Sequence, residues 1–383
     1  MNHDAIAIER IDSPVEFADL EADWNRCLAA SPDDAVHLRH EWLRCWYASD
    51  VARRPLRVLV AREAGRLAGM AALTAGALPL KRWRLPALVS ATSGVEPRWS
   101  AVAEAGRADV MDALVADLRR DPVLPDGGRA RAFLFENLAE DGPGARAWLA
   151  AWRRAGVPVY LEPGRRSPCL RIPAGTPDYE TLWRGLCSKH QRRILRQKLR
   201  RADAAGLRAE RVVDPARVRE LMETVFAVSA RSWKGAGGTD MAGSASGRAF
   251  YDAFTPLAAA RGWLSLWLLW DGDACAAVQY DLEYGGTATA FRSDFDPERA
   301  PLSPGLVLRW HSLQDFVARG GRAFDFGGQD YGYKRHWTDA VRRHAHAVVP
   351  APGVAPRALV WARNNRLTAR VRGVRTDADP FFV

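Results

Sequence analysis

Hydrophobic positions recur along this chain with two periods, one typical of helices and one typical of strands. In the second half, apolar residues three or four positions apart predict helices at about residues 179–205 and 215–233. Short aliphatic and aromatic runs predict a hairpin of residues 264–270 and 274–283, which turns at Asp271-Gly272-Asp273. A strand, a helix and another strand are predicted to follow, at residues 287–292, 304–319 and 323–326.

The first half of the chain repeats this order of elements. Its pattern predicts two helices, a hairpin, a strand, a helix and a strand, at residues 14–29, 40–47, 56–61 with 67–73, 85–91, 108–119 and 132–136. We therefore expect two copies of one α/β plan, although their residues differ too much for an obvious repeat. The boundary is expected near residues 158–177, a segment rich in proline.

Length and composition agree with two soluble domains. A chain of 383 residues is too long for one ordinary core. Its 48% hydrophobic and 26% charged residues are typical of globular proteins. No apolar run approaches the roughly 20 residues that a membrane helix needs, so we expect no membrane span. The first residues lack the pattern of a secretory signal, which favours a cytoplasmic location.

Charge and cysteine content narrow the choice of partners only slightly. A net charge of +10 favours an anionic partner such as a nucleotide cofactor, a sugar nucleotide or a nucleic acid. Arginine is abundant throughout, however, so background composition explains the charge equally well. The five cysteines are scattered, which indicates reduced thiols. His344 and His346 share one face of a predicted strand without a third ligand nearby, so no metal is expected.

Residues 291–306 pass from a predicted strand through a loop into a helix. A helix N-terminus attracts phosphate because its backbone N–H groups are unpaired there. Gly305 allows close approach to the backbone, and Ser303 is expected to cap the helix with Pro304 at its first position. The alternative is a well-formed helix start without a ligand.

A second cluster of polar residues follows the predicted strand 323–326. Gly327 and Gly328 permit unusual backbone angles beside several acids, bases and cations. Acyl transfer to an amine needs stabilisation of an oxyanion and a proton for the leaving group. Lys334 suits the first task, and Tyr333 or Tyr331 suits the second. The alternative is a solvated turn with one aromatic anchor.

The third segment is a basic run at residues 189–201. It contains no acidic residue, and Ile194, Leu195 and Leu199 lie at helical spacing. Such a helix packs one face and leaves the other cationic, ready for the phosphates of a carrier, a nucleotide-linked substrate or RNA. It lacks the interleaved aromatic residues that base stacking would use. The alternative is an ordinary solvated helix face.

Two further features have simpler interpretations. Residues 233–239 lack the spacing of a phosphate-binding Walker loop, so we interpret them as a mobile loop. Cys187 precedes the basic run, and a small core thiol is favoured over a nucleophile there.

Taken in order, these segments resemble a known family. The features are the basic helix after Cys187-Ser188, Arg231, the strand ending at Gln279-Tyr280, Ser303-Pro304-Gly305, and Phe324 to Gly328 with Tyr333, Lys334 and Trp337. Together they look like the CelD-like acetyltransferases of cellulose biosynthesis, which have the Gcn5-related N-acetyltransferase (GNAT) fold and are distantly similar to Fem-type aminoacyltransferases. The resemblance covers about residues 182–339.

The resemblance implies an acyl donor along the edge of a sheet. Its phosphates would lie near Ser303, Gly305 and Leu306, with Gln279 as a further cofactor-binding residue, and Lys334 would stabilise the reacting carbonyl. Typical GNAT enzymes grip coenzyme A with a Gln/Arg-x-x-Gly-x-Gly/Ala loop, and a Ser-Pro-Gly turn replaces it here. This difference leaves aminoacyl-tRNA, the donor of Fem-type proteins, as an alternative to acyl-CoA.

We therefore predict an α/β (α+β) protein of two GNAT-like acyl-CoA N-acyltransferase domains, with mixed sheets flanked by helices. The domains are expected at residues 1–165 and 166–350, followed by an extension at 351–383. The predicted reaction moves an acyl group from acyl-CoA to an amine of a sugar, peptide or polysaccharide precursor, without a metal. The predicted site residues are Lys334, Tyr333, Asp294 and Asp325 for catalysis, and Lys189, Arg193 and Arg231 for substrate binding.

Each aspartate has a structural hydrogen-bonding role as its alternative. Two alternative functions remain: an aminoacyl-tRNA-dependent transferase that binds tRNA through the basic run, and a non-catalytic accessory protein of exopolysaccharide or cellulose synthesis. No DNA partner is expected.

Overall fold

A computed structural model describes residues 5–49, 55–80, 82–91 and 98–364. Contacts divide the chain into two compact units, one up to Arg165 together with the residues from Arg342 onward, the other spanning Arg166–Val341. Within the described ranges, no helix is both long and apolar enough to cross a membrane.

The first unit is a mixed sheet with helices packed against it. Its strands are β1 (Ala7–Ile11), β2 (Leu56–Glu63), β3 (Arg66–Leu80), β4 (Trp83–Ser90), β5 (Val102–Ala103) and β6 (Ala132–Ala139). Its helices are α1 (Pro14–Ala18), α2 (Glu21–Ala29), α3 (His40–Ala48), α4 (Ala108–Arg120) and α5 (Pro143–Arg154). β1 to β4 form an antiparallel run, and β4 then pairs parallel with β6. Trp148, Trp152 and Phe133 fill the core beneath α4 and α5.

The second unit has the same kind of sheet. Its strands are β7 (Tyr160–Arg171), which begins in the first unit, β8 (Arg208–Val212), β9 (Leu264–Asp271), β10 (Ala274–Tyr284), β11 (Thr287–Phe295) and β12 (Ala323–Asp325). Its helices are α6 (Tyr179–Leu186), α7 (Lys189–Ala204), α8 (Pro215–Arg231), α9 (Trp233–Ala236), α10 (Ala245–Ala260) and α11 (Pro304–Ala318). The order is β7-β12-β11-β10-β9-β8, and β11 and β12 run parallel.

Helices cover both faces of the second sheet. Successive residues of a strand point to opposite faces. On β10, Gln279 hydrogen-bonds to Gly305 of α11, whereas the hydroxyl of the next residue, Tyr280, lies 3.1 Å from that of Thr255 on α10. α11 and α10 therefore lie on opposite sides of this sheet, and the predicted α/β class with mixed, helix-flanked sheets is confirmed.

Most predicted elements form, and the differences are informative. The predicted helix 179–205 is two helices, because Ser188 adopts an extended conformation and caps α7. Its side chain accepts from the Gln191 N–H while the Gln191 side chain accepts from the Ser188 N–H, a capping box. β1, β8, α5 and α10 were not predicted.

The chain after the second unit returns to the first. β13 (Val341–Pro350) pairs antiparallel with β6, and α12 (Val354–Arg363) follows it. Residues 342–350, which the sequence analysis groups with the second half, thus lie with the first unit. The three-part domain division stays a prediction, and residues 365–383 of the expected extension lie outside the described ranges.

Candidate functional site

One strand of the second sheet has a free edge. β11 pairs with β12 only from Thr287 to Thr289, and its register with β10 shifts at Phe291, which forms a bulge. Beyond the bulge β11 continues to Phe295, while the chain after β12 turns away. No described strand pairs with this part of β11 on the side facing away from β10. We call residues 291–295 the open edge.

The backbone of the open edge presents hydrogen-bonding groups. The Asp296 N–H donates to the Ala276 carbonyl, so Asp294, two residues earlier, also directs its backbone towards β10. Ser293 and Phe295 direct their backbone groups the other way. The Ser293 carbonyl already accepts from Lys234, so a ligand with amide groups would pair with the Ser293 N–H and the backbone of Phe295, as a further strand does.

The loop after β12 turns through two glycines in the left-handed region. Gly327 and Gly328 have φ of +58° and +55°. The Gly327 N–H donates to Asp325 Oδ1 at 2.8 Å. A Cβ on Gly327 would lie 2.8 Å from the carbonyl oxygen of Ala290 on β11, so only glycine fits. The turn therefore brings this loop against the start of the open edge.

Lys334 projects back into this loop from the helical turn Gly332–His336. It is 6% exposed, and its ammonium donates to the carbonyl of Gly327. The same ammonium lies 5.6 Å and 5.9 Å from the ring centroids of Tyr331 and Tyr333, which stack on each other. The structure thus holds a buried cation beside the loop that meets the open edge.

Tyr333 is the more exposed partner of this cation. The residue is 58% exposed, yet desolvation by the surrounding protein raises the pKa of its phenol, and Asp294 adds a smaller upward effect. The phenol is therefore protonated at neutral pH and can donate a proton.

The start of α11 follows the open edge. Pro304 occupies the first helical position as predicted, but the expected side-chain cap is wrong. Ser303 adopts a left-handed conformation, φ +53°, and its carbonyl instead accepts the N–H groups of Leu306 and Val307. A Cβ on Gly305 would meet only the Phe295 ring, at 3.5 Å, so the backbone here is accessible to a ligand.

Gln279 of β10 supports the start of α11. It is completely buried, and its side-chain nitrogen donates to the Gly305 carbonyl at 3.1 Å. Its side-chain oxygen has no partner within the described part of the chain. This geometry makes Gln279 a residue that positions the Ser-Pro-Gly turn, and its direct contact with a cofactor stays a prediction.

Asp294 is already fully engaged. One carboxylate oxygen lies 2.6 Å from the Lys234 ammonium, and the other accepts from the Ser229 hydroxyl at 2.9 Å. One hydrogen bond and one ion pair therefore support the structural role of Asp294. Asp325 is buried as well, and one of its oxygens holds the Gly327 turn, which supports a structural role for it too. The catalytic role of both aspartates stays a prediction.

Lys234 is the residue of this region that sequence reasoning missed. The interpretation of residues 233–239 as a mobile loop is wrong for Trp233–Ala236, which form the short helix α9 capped by Ser232. Besides its pair with Asp294, the Lys234 ammonium donates to the Ser293 carbonyl at 2.8 Å. Burial lowers the pKa of this lysine, and Asp294 opposes that shift. No local pattern shows a partner 60 residues away.

The basic run forms an amphipathic helix as predicted. Leu195 is buried, and Ile194 and Leu199 are half-buried. Lys189 and Arg193 are exposed and make no hydrogen bond or ion pair with a described residue. Arg231 lies elsewhere, at the end of α8, where it pairs with Asp296 at 3.3 Å. The substrate-binding role of these three cations stays a prediction.

Cys187, considered above as a nucleophile or a core thiol, lies in the core. Cys187 is buried, its thiol donates to the His336 carbonyl at 3.2 Å, and burial raises the pKa of that thiol to about 11. The core interpretation is confirmed. Trp183 donates to the same carbonyl, so α6 holds the turn that carries Lys334. Across the described residues, no three His, Cys, Asp or Glu side chains form a group able to hold a metal.

Comparisons with known proteins agree with this geometry. The profile of the family described as acetyltransferase (GNAT) domain matches residues 189–335, which include the open edge, the helix start and Lys334. Among curated protein sequences, none matches the chain.

Solved structures match along most of the length. The crystal structure of FemX is 12% identical, covers 88% of this chain and 96% of its own, and has a TM-score of 0.57. L-PGS from Bacillus licheniformis is 12% identical, covers 95% and 98%, and has a TM-score of 0.52. Likeness at such identity concerns the fold alone, and it agrees with the predicted distant relation to Fem-type proteins. The match supports an acyltransferase activity and assigns the acetyltransferase (GNAT) domain to residues 189–335.

Proposed function

We propose that the second unit transfers an acyl group from acyl-CoA to an amine of a sugar, peptide or polysaccharide precursor. The observation that carries the proposal is the buried ammonium of Lys334 against the glycine turn that meets the open edge. GNAT domains usually take acyl-CoA, and the resemblance to CelD-like proteins favours a polysaccharide precursor.

The residues of the site divide the reaction between them. The donor lies along the open edge with its phosphates at Ser303, Gly305 and Leu306. A neutral amine attacks the thioester carbon, and the carbonyl oxygen becomes an oxyanion that Lys334 stabilises. As the carbon–sulfur bond breaks, Tyr333 gives its proton to the thiolate, and the amine loses a proton to solvent.

Calorimetric titration with acetyl-CoA and longer acyl-CoAs, at two salt concentrations, tests the donor. Gly305→Ala is the decisive variant, because a Cβ there makes only an ordinary contact with Phe295 and the protein should fold normally. We expect micromolar binding that weakens about tenfold or more in this variant, equal to about 1.4 kcal/mol.

Gly185→Ala is the matched control, since a Cβ on this glycine of α6 meets nothing within 4 Å. It should bind every donor as the wild type does. If no acyl-CoA binds the wild type, or if Gly305→Ala binds as well as Gly185→Ala, the proposed donor site is wrong.

A second candidate donor is aminoacyl-tRNA. The exposed cations of α7 favour this donor. Lys189 and Arg193, for example, have no partner among the described residues and are available to the phosphate backbone of tRNA. If tRNA is the donor, its affinity falls steeply with salt, and replacing both residues by alanine lowers the salt slope by about one unit for each. Salt-independent affinity would exclude this donor.

A further inference from the structure

Arg292 has an unusual position on the open edge. Directly opposite it in the antiparallel register is Tyr280, so it lies on the face covered by α10. Its side chain is only 14% exposed. One guanidinium nitrogen donates to the Thr239 carbonyl at 2.6 Å. Its Nε makes no hydrogen bond with any residue that the structure describes.

Arg292 shares its nearest carboxylate with a second cation. Asp294 Oδ2 lies 3.9 Å from the Arg292 Nε, within ion-pair range but beyond hydrogen-bond distance. The other oxygen of the same carboxylate lies 2.6 Å from the Lys234 ammonium. Two cations with one carboxylate leave one positive charge unbalanced, and an incoming anion would balance it.

A second buried polar group lies beside it. Tyr251 of α10 is 1% exposed, and its hydroxyl has no hydrogen-bond partner within the described residues. Its ring packs against Tyr280 and Phe291, with centroids 5.7 Å and 6.0 Å apart. Arg292 follows Phe291 along β11 and lies opposite Tyr280, so Tyr251 and Arg292 share these two neighbours. Burial raises the pKa of the Tyr251 phenol.

The segment between α8 and α10 covers these groups. We call residues 232–244 the strap. It is held at three points: Lys234 on Ser293 and Asp294, the Thr239 carbonyl on Arg292, and the Met241 N–H on the Ser229 hydroxyl. A ligand anion that replaces the Thr239 carbonyl would release one of these points, and the glycines of the strap allow it to adjust.

We propose that Arg292 and Tyr251 form a subsite beneath the strap for a carboxylate group of the acceptor. A guanidinium and a hydroxyl supply the N–H and O–H donors that a planar two-oxygen anion accepts. One unbalanced positive charge matches the single charge of a carboxylate better than the charge of about −1.5 to −2 of a phosphate. This inference rests on the proposed function, because it names the class of amine that the site takes.

The test uses matched amines and two readouts. The probes are glycine, β-alanine and γ-aminobutyrate, each compared with its own carboxamide, which removes only the negative charge. One readout is the thermal midpoint of the full chain with saturating probe, and the other is acyl transfer from acetyl-CoA. We expect the wild type to prefer at least one carboxylate over its amide by about tenfold or more in kcat/KM, with a larger midpoint shift.

Two variants should lose this preference in different ways. Arg292→Gln should bind carboxylate and amide equally, because glutamine keeps a polar side chain without the positive charge. Tyr251→Phe removes a buried hydroxyl that has no hydrogen-bond partner among the described residues, so it should raise the midpoint of the free protein and still weaken the carboxylate preference. A purely structural role would not produce this combination. Arg248→Gln changes a half-buried arginine of α10 that pairs with Glu223; it is the matched control and should keep the carboxylate preference of the wild type.

Each outcome either supports or overturns the carboxylate subsite. Equal midpoint shifts for every acid and its amide in the wild type overturn the subsite, and so does an unchanged preference in Arg292→Gln. Carboxylate binding that disappears in Arg292→Gln without acyl transfer to any amine supports the subsite and counts against the proposed function.

Discussion

At the scale of single residues, Lys334 combines burial with the oxyanion-stabilising role that we propose for it. Its ammonium contacts a backbone carbonyl and two aromatic rings, all of which come from residues 327–333. This local arrangement fixes the cation in place before any ligand arrives. A fixed cation stabilises a developing oxyanion without the cost of reorganisation.

Replacing Lys334 by alanine should lower turnover far more than stability. We expect kcat to fall about 10²- to 10³-fold, as for the loss of one oxyanion donor. The lost hydrogen bond to Gly327 should lower the free energy of unfolding by only about 1–3 kcal/mol. Steady-state assays and urea unfolding measure the two effects. Lys198→Ala, a half-buried lysine of α7, serves as control, and full turnover of Lys334→Ala would refute the role.

Gly327 should tolerate no side chain. Alanine there must adopt φ near +58° and place its Cβ 2.8 Å from the Ala290 carbonyl. The left-handed conformation alone costs about 1–2 kcal/mol, so Gly327→Ala should lower the midpoint of urea unfolding. Gly332→Ala, whose Cβ would meet nothing within 4 Å, should leave the midpoint unchanged. Equal midpoints for the two variants would contradict this account of the turn.

At the scale of elements, the break between α6 and α7 sets the position of the basic helix. Arg192, in the first turn of α7, donates to the carbonyls of Arg184 and Cys187 at the end of α6. The capping box at Ser188 and Gln191 begins α7 at the same point. Together these contacts fix the start of α7 and leave its exposed cations, such as Lys189 and Arg193, available to a ligand.

Ser188→Ala should therefore loosen α7 specifically. Loss of an N-cap side chain costs about 0.5–2 kcal/mol, and Ser188 is exposed, so no packing is lost with it. Urea unfolding should show this decrease, whereas Ser188→Asn, which can still cap, should stay close to the wild type. An alanine variant as stable as the asparagine variant would show that the box contributes nothing.

At the scale of the whole molecule, buried imidazoles make stability depend on pH. Burial lowers the pKa of His40, His311 and His346, which lie in both units. In the unfolded chain these groups take up protons near their ordinary pKa of about 6.5. Below that pH the unfolded state binds more protons than the folded state until the folded pKa values are passed.

The free energy of unfolding should thus fall as the pH decreases from about 7 to about 5. Carboxylates with lowered pKa, such as Asp330 beside Arg335, add to the loss only at lower pH. Urea unfolding at several pH values measures the slope, and His311→Asn should reduce it. Stability that rises on acidification through this range would contradict the burial of these histidines in their neutral form.

Local pattern predicts much of the second unit because its signals are local. The hairpin of β9 and β10 follows from apolar strands around Asp271-Gly272-Asp273, and Gly272 indeed has a positive φ. The amphipathic period of residues 189–201 likewise determines which face of α7 is buried. Ser303 was predicted correctly as a helix boundary but not as a side-chain cap, because its backbone conformation depends on the loop before it.

The sequence by itself determined the α/β class, the order of elements and the acyltransferase family resemblance, since periodicity, turn residues and motif order all lie within short stretches of chain. Only the tertiary structure determined which charged side chains contact each other. The pairing of Lys234 with Asp294, the bulge that frees the edge of β11, and the unbalanced charge of Arg292 beneath the strap each join segments distant along the chain. Such contacts depend on strand register and helix packing, which no short stretch of sequence determines.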